Sequence, residues 1–362
     1  MSTSSSSSEH PRRVAVIGFG IAGELFHAPF IAATPGLELT KIVTRDPARA
    51  AQAHAQYPEA TVCETASEVW ADRANVDLVV VAAPNAAHVP LATAAIESGI
   101  ACVVDKPLAA TASEGRRLVD LARQRGVMLT VFQNRRYDGD FQTIRRLIEA
   151  GTLGDPIRFE SRFERWRTTP KPGWRESGAP ADAGGLLMDL GSHLVDQALQ
   201  LFGPVASVYA ELDRRRPGVE VDDDAFVALT HVSGVRSHLW MSVLASQLGP
   251  RFRLLGSAGS YVKFGLDMQE DELRAGKRPG SADWGIEPSE RWGVVGVGSD
   301  AQPVQTERSD YGRFYAAVAE SLRTGTPPPV IADDAVATLR ALEMARQSAT
   351  EQRVVRPSAS SR

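Results

Sequence analysis

The feature that most constrains this chain is a short apolar strand running straight into three spaced glycines, Val14-Ala15-Val16-Ile17-Gly18-Phe19-Gly20-Ile21-Ala22-Gly23. A strand, a Gly-x-Gly-x-x-Gly turn and a helix, in that order, open a doubly wound parallel sheet that cradles a dinucleotide. Gly18 permits the tight turn, Gly20 lets the backbone approach a pyrophosphate, and Gly23 lets helix and strand pack closely. The first N–H groups of the helix have no partner within it and face the phosphates. Phe19, Ile21 and Ala22, interleaved with the glycines, are candidate contacts of the same ligand.

From 12 to 132 short apolar strands alternate with helical stretches, the strands falling near 13–18, 37–44, 60–63, 77–83, 100–105 and 127–132. That spacing argues for a parallel sheet covered on both faces. After a helical stretch near 138–150, closed by Gly151, longer alternating runs take over, first at 157–163 and then near 204–212, 224–231, 235–245, 251–256 and 260–264. Period-two alternation of this length reads as a mostly antiparallel sheet with one buried and one open face. Two helices, 309–324 and 333–350, end the pattern. The expected architecture is α/β plus α+β: a flexible serine-rich tail (1–11), a Rossmann dinucleotide-binding domain (12–132) and a substrate-binding and oligomerisation domain (133–355). An open apolar sheet face calls for a partner, so a homo-oligomer, dimer or tetramer, is expected.

With 362 residues, 43% hydrophobic and 23% charged, the chain has enough apolar material for two cores. Forty basic residues against 44 acidic ones leave a formal charge of −4, which creates no field toward polyanions and argues against a nucleic-acid partner. The longest apolar runs, such as 76–84, are too short to cross a bilayer, and the opening has no apolar core like that of a secretory signal. No membrane partner is expected, and the cytoplasm is the expected compartment. Cys63 and Cys102 are too few for a disulfide framework, and no Cys/His cluster has the spacing of a metal site.

Two further stretches carry chemistry. Asp105-Lys106-Pro107 places an amine where the apolar strand 100–104 runs out, at the mouth of the sheet; the alternative is a solvated surface lysine. The capping box Thr111-Ala112-Ser113-Glu114 starts the next helix and so fixes the loop holding Lys106. The second stretch runs from Gly184 to the stop at Gly203-Pro204 and reads as one helix, apolar nearly all round. Asp189, His193 and Asp196 or Gln197 form a polar stripe on it, because residues three or four apart share a face. Without partners in a dry core such groups would cost about 1–3 kcal/mol each, so a polar cavity beside the stripe is expected. The alternative is a core histidine satisfied by Asp189.

The Gly-rich turn, Asp105-Lys106-Pro107 and the helix Gly184-Gly185-Leu186-Leu187-Met188-Asp189-Leu190-Gly191-Ser192-His193-Leu194-Val195-Asp196 together resemble the glucose-fructose oxidoreductase and inositol dehydrogenase (Gfo/Idh/MocA) family over nearly the whole chain. Phe26-His27-Ala28-Pro29, Asn134-Arg135-Arg136-Tyr137-Asp138, 261–267 with Gln269-Glu270, and Trp284-Gly285 are similar to its branch of NADP-dependent scyllo-inositol dehydrogenases. Ala183 stands where many members carry a third glycine. The resemblance implies an NAD(P)-dependent dehydrogenase that moves a hydride between nicotinamide and a secondary alcohol of a polyol. In it Lys106 contacts the reacting hydroxyl and the cofactor, His193 is the acid/base, and Asp189 binds substrate and orients the site. It also implies that Pro84, Asn85 and His88 lie beside the cofactor, with a helix-entry histidine the alternative for His88, and Asp105 is a further cofactor candidate; Asn134 and Arg136 emerge where the domains join, near the expected substrate. Trp174 and Arg175, in the loop 168–180, are expected to cover the substrate, the alternative being an ordinary surface loop anchored by the tryptophan. His27 is expected to support packing or cofactor.

Cofactor choice rests on the end of the second strand, Thr44-Arg45-Asp46-Pro47. A hydroxyl and a basic residue suit the extra phosphate of NADP, whereas NAD enzymes place an acid there. Asp46 precedes a proline and reads as a helix N-cap. NADP is therefore expected, with NAD the alternative, since Arg45 could stack on adenine in either. The other functional readings are a dehydrogenase or ketoreductase of a different sugar, and a non-catalytic nucleotide-binding sensor of the same fold.

Overall fold

A computed structural model describes residues 10–170, 173–176 and 178–357, without the side chain of Trp174. Residues 1–9 of the expected tail lie outside the described residues.

Six strands form the first sheet: β1 (Arg12–Ile17), β2 (Leu37–Val43), β3 (Thr61–Cys63), β4 (Leu78–Val81), β5 (Ala101–Asp105) and β6 (Leu129–Phe132). They are all parallel and ordered β3-β2-β1-β4-β5-β6. Every residue of β4 and β6 is buried, as a sheet with helices on both faces requires. The strand order reverses between β1 and β4, so the crevice beyond their carboxyl ends is where this architecture receives a ligand.

The second sheet has eight strands: β7 (Pro156–Glu164), β8 (Val205–Asp213), β9 (Asp224–His231), β10 (Arg236–Ser242), β11 (Phe252–Gly256), β12 (Ser260–Lys263), β13 (Gly293–Gly296) and β14 (Gln302–Val304), in the order β14-β13-β12-β11-β7-β10-β9-β8. Only β7 and β10 pair in parallel; the other neighbours are antiparallel. Burial alternates along all of β9. Its buried residues Ala225, Val227 and Leu229 join a core that includes Leu194, Val195 and Ala198 of the helix Gly191–Phe202 and Leu339 and Leu342 of the helix Ala332–Glu351.

The last helix also ties the two sheets together. Asp333 accepts from Arg116 (2.8 Å) and Arg123 (2.6 Å) on the helix Ala112–Arg125, and Thr130 on β6 donates to the Val330 carbonyl (2.7 Å). The helix Ala112–Arg125 begins at the expected capping box, with Thr111 and Glu114 exchanging bonds of 3.2 and 3.1 Å.

One expectation needs correction. The helix read as continuous from Gly184 is broken into Leu186–Asp189 and Gly191–Phe202, with Leu190 between them. Asp222 on the facing loop holds the start of the first piece, accepting from Leu186 N through its carbonyl (2.9 Å) and from Leu187 N through its carboxylate (2.7 Å). Gly185 reaches this contact at φ +95°, where a Cβ would collide with that carboxylate.

Candidate active site

At the carboxyl end of β1 the backbone leaves no room for side chains at two of the three glycines. A Cβ on Gly18 (φ +101°) would strike the Ala82 carbonyl, and one on Gly23 would strike the Gly18 carbonyl. At Gly20 the nearest group is the Arg49 guanidinium, at 3.6 Å from an added Cβ, so this position alone is open to a ligand. The turn therefore fits a dinucleotide pyrophosphate. Phe19 is packed in the core, edge-on to Tyr57 at 6.3 Å, and offers only its main chain. Ile21 is half exposed and, with Ala22, borders a large cavity.

Lys106 follows β5, its main-chain N–H donating to Asp105 Oδ1 (2.8 Å). Its Nζ reaches across to the other half of the molecule and donates to the Asp189 carbonyl (2.7 Å) and to Asp189 Oδ1 (3.0 Å). That carbonyl is available because the helix stops at Leu190. Arg175 Nε reaches the same carboxylate at 3.4 Å. Burial pushes the Asp189 carboxyl up, but Lys106 and Arg175 outweigh it and hold it at about 2.

His193 lies on the first turn of the second helical piece, almost wholly buried, and its Nδ1 has no hydrogen-bond partner among the described residues. Burial, then Lys106, Arg135 and Arg251, press its pKa well below the ordinary imidazole value. The ring is therefore neutral near neutral pH. Asp189 is not its partner, so the alternative of a satisfied core histidine does not describe this site.

Lys106, Asp189 and His193 border one cavity of about 490 Å³, together with Ala22, Asp105, Asn134 and Phe163. Arg136 is a correction: its guanidinium is turned into the interior, bonding Asp196 at 2.6 and 2.8 Å and Asp334 at 3.1 Å, and it does not border the cavity. Its neighbour Arg135 does. The side chain of Trp174 lies outside the described residues. Asn85 donates to the Asp182 carbonyl (2.9 Å), and the buried His88 ring sits between the carbonyls of Pro107 (2.7 Å) and Ala83 (2.9 Å), bracing the loop of Lys106; Pro84 beside them is exposed. His27 is buried, with Nδ1 2.5 Å from the Tyr315 hydroxyl and Nε2 3.9 Å from Asp105. Thr44 and the exposed Arg45 stand at the end of β2, and Asp46 caps the next helix through Ala48 N (2.9 Å) and Arg49 N (3.2 Å).

Sequence reasoning did not single out Arg165, Asp222 or Arg274, all of which border the cavity. Their residue types carry no signal at a strand end (Arg165), in a loop (Asp222) or at the end of a short helix (Arg274); only the folded neighbourhood distinguishes them.

Residues 12–133 match the oxidoreductase family with an NAD-binding Rossmann fold, and residues 141–262 match the GFO/IDH/MocA C-terminal domain. The chain belongs to the Gfo/Idh/MocA oxidoreductases. It is 39% identical to the uncharacterized oxidoreductase YdgJ of Escherichia coli K12 over 93% of this chain and 96% of that one. It is 34% identical to the NADP-dependent scyllo-inositol 2-dehydrogenase IolW of Bacillus subtilis over 95% of each. The solved structure of yvaA from Bacillus subtilis superposes with a TM-score of 0.91 at 33% identity, covering 96% of this chain and 99% of that one. The chain is thus an NAD(P)-binding oxidoreductase of this family. Among the described residues no helix is long and apolar enough to cross a membrane.

Proposed function

We propose that this oxidoreductase is an NADP-preferring dehydrogenase acting on a secondary alcohol of a polyol or sugar, of the inositol type, with Lys106, His193 and Asp189 as its catalytic groups. The observation that carries this reading is that Lys106 from the end of β5 and His193 from the second half border one cavity, with Asp189 bonded to Lys106 between them. The activity of IolW supports the inositol-type substrate.

A bound nicotinamide supplies the hydride acceptor in oxidation and the donor in reduction. His193, neutral and with an unengaged ring nitrogen, takes the hydroxyl proton in oxidation. The Lys106 ammonium donates to the same oxygen and stabilises the charge developing there. Asp189 keeps that ammonium aimed and balances it. In reduction the proton returns to the new alkoxide through the same ring nitrogen.

The end of β2 favours NADP. Its carboxylate, Asp46, is engaged as a cap, while the exposed Arg45 beside it and Arg49, 3.6 Å from an added Cβ on Gly20, are cations that would receive a ribose phosphate. The same reading takes 12–132 as the dinucleotide-binding unit and 133–355 as the unit that binds substrate and assembles copies, in the cytoplasm. The open sheet face, where Arg162 lies 4.0 Å over Trp240 and Phe226 lies 5.1 Å from it, is the contact of a dimer or tetramer.

Absorbance of reduced nicotinamide tests the activity. NADP+ with an inositol panel is expected to give a rising signal, with NAD+ at higher KM; no signal from any polyol, and none from keto-polyols with NADPH, would sink the reading. Sedimentation at a single monomer mass would sink the assembly.

A further inference from the structure

The cavity is more strongly charged than a neutral polyol requires. Seven cationic side chains and five carboxylates border it among the described residues. Six of the cations share three carboxylates in pairs: Lys106 and Arg175 on Asp189 (3.0 and 3.4 Å), Arg135 and Arg274 on Glu270 (3.3 and 2.8 Å), and Arg167 and Arg216 on Glu176 (2.7 and 3.1 Å). Of the other two carboxylates, Asp105 accepts from Lys106 N and Asp222 from Leu187 N.

Arg165 is the seventh cation. Its guanidinium makes no hydrogen bond or ion pair with any described residue; its one described contact is the Phe163 ring, 5.4 Å away. It is half withdrawn from water, and burial lowers its pKa. Its backbone is fixed just beyond β7, with Arg165 N donating to the Ser242 carbonyl (2.9 Å) and its own carbonyl accepting from Ala245 N (3.1 Å). The groups that act on it electrostatically, Asp189, Arg167, Glu270 and Arg135, all border the same cavity. A partly desolvated guanidinium that no carboxylate bonds directly has its donors free for an anion, and its planar fork matches a carboxylate or phosphate.

We infer that the substrate is a hydroxylated ring or chain bearing an oxyanion, a carboxylate or a phosphate monoester, which is held by Arg165 while the carbinol lies at Lys106 and His193. This rests on the dehydrogenase reading above. Two of the paired cations have a second carboxylate behind the cavity wall, Arg135 at Asp138 (3.3 Å) and Arg216 at Asp223 (2.9 Å), so the oxyanion meets the one guanidinium, Arg165, that no described carboxylate pairs.

Calorimetric titration of the NADP+-loaded protein tests it with matched ligands: an inositol against its monophosphate, and a neutral hexose against its uronate. One anionic member is expected to bind at least about tenfold more tightly than its neutral counterpart, the tighter of the phosphate and carboxylate arms identifying the group. In R165Q that preference is expected to fall about ten- to hundredfold, the loss expected for hydrogen bonds to a charged group, with R165K intermediate because it keeps the charge and loses the fork. Equal binding of both members of each pair to the wild type overturns the inference, even if R165Q fails to fold. So does a preference that survives in a folded R165Q. If neither class is turned over, the dehydrogenase reading fails while the titration still decides the charge of the ligand.

Discussion

Replacing Asp189 by asparagine removes one negative charge from the point where the two halves of the site meet. In the folded protein burial raises the Asp189 pKa, and the cations Lys106 at 3.0 Å and Arg175 at 3.4 Å bring it down to about 2 from an ordinary 3.8. That gap corresponds to about 2 kcal/mol in favour of the folded, ionised form. A carboxyl depressed by folding contributes its full stabilisation above the unfolded pKa and loses it as pH falls through the folded one. The wild type should therefore exceed D189N by about 2 kcal/mol at pH 7, hold that margin down to about pH 5, and keep only about 1 kcal/mol of it near pH 3. Urea unfolding across this range reads the difference directly. The side chain is only 23% exposed, so added salt should remove little of the margin. The same variant should lose about ten- to a hundredfold in kcat, because the Lys106 ammonium is no longer aimed. A margin that is absent, or equally large at pH 3 and pH 7, would refute the claim that these cations hold Asp189 ionised.

His193→Ala should lose about a hundred- to ten-thousandfold in kcat while its NADP+ affinity, read by fluorescence, stays near wild type. Because burial and neighbouring cations keep His193 in its basic, neutral form, wild-type oxidation should not slow as pH drops through 6.5; an inflection there would contradict the assignment. Arg136→Ala strands Asp196, whose partner at 2.6 Å it removes, and should cost about 3–5 kcal/mol of stability with KM unchanged in the folded fraction. Gly18→Ala should abolish dinucleotide binding in equilibrium dialysis, since the Ala82 carbonyl occupies the space a Cβ needs. Arg45→Ala should raise KM for NADP+ about tenfold, the value of one charge-assisted phosphate contact, and leave KM for NAD+ alone.

Strand periodicity made most of the fold legible, because alternation and βα spacing follow from the backbone and need no knowledge of partners. All six strands of the first sheet and six of the second lie within about three residues of the expected positions. The two strands at one end of the second sheet, β13 and β14, were not legible. Gly293-Val294-Val295-Gly296 sets two apolar residues between glycines, and Gln302-Pro303-Val304 contains a proline that lacks a ladder donor. Only pairing with β12 and with each other makes them strands. The break at Leu190 was hidden for a similar reason. No proline or exposed polar run marks it; Asp222, 32 residues further on than Leu190, grips the start of the first piece, a contact that only the folded chain brings about.

The site follows the same division. Lys106, Asp189 and His193 stand out in the sequence as polar groups in apolar surroundings, a contrast visible without coordinates. Arg135 and Arg136 present no such contrast, being identical neighbours in one turn, Asn134–Tyr137. Successive residues of a 3₁₀ turn point about 120° apart, so the two guanidinium groups take different directions. The buried Asp196 takes Arg136, leaving Arg135 to Glu270 and the ligand side. Arg165 is a further step removed. Its significance lies in the absence of a partner where six other cations have theirs, and a sequence records residues without recording which charges are left over.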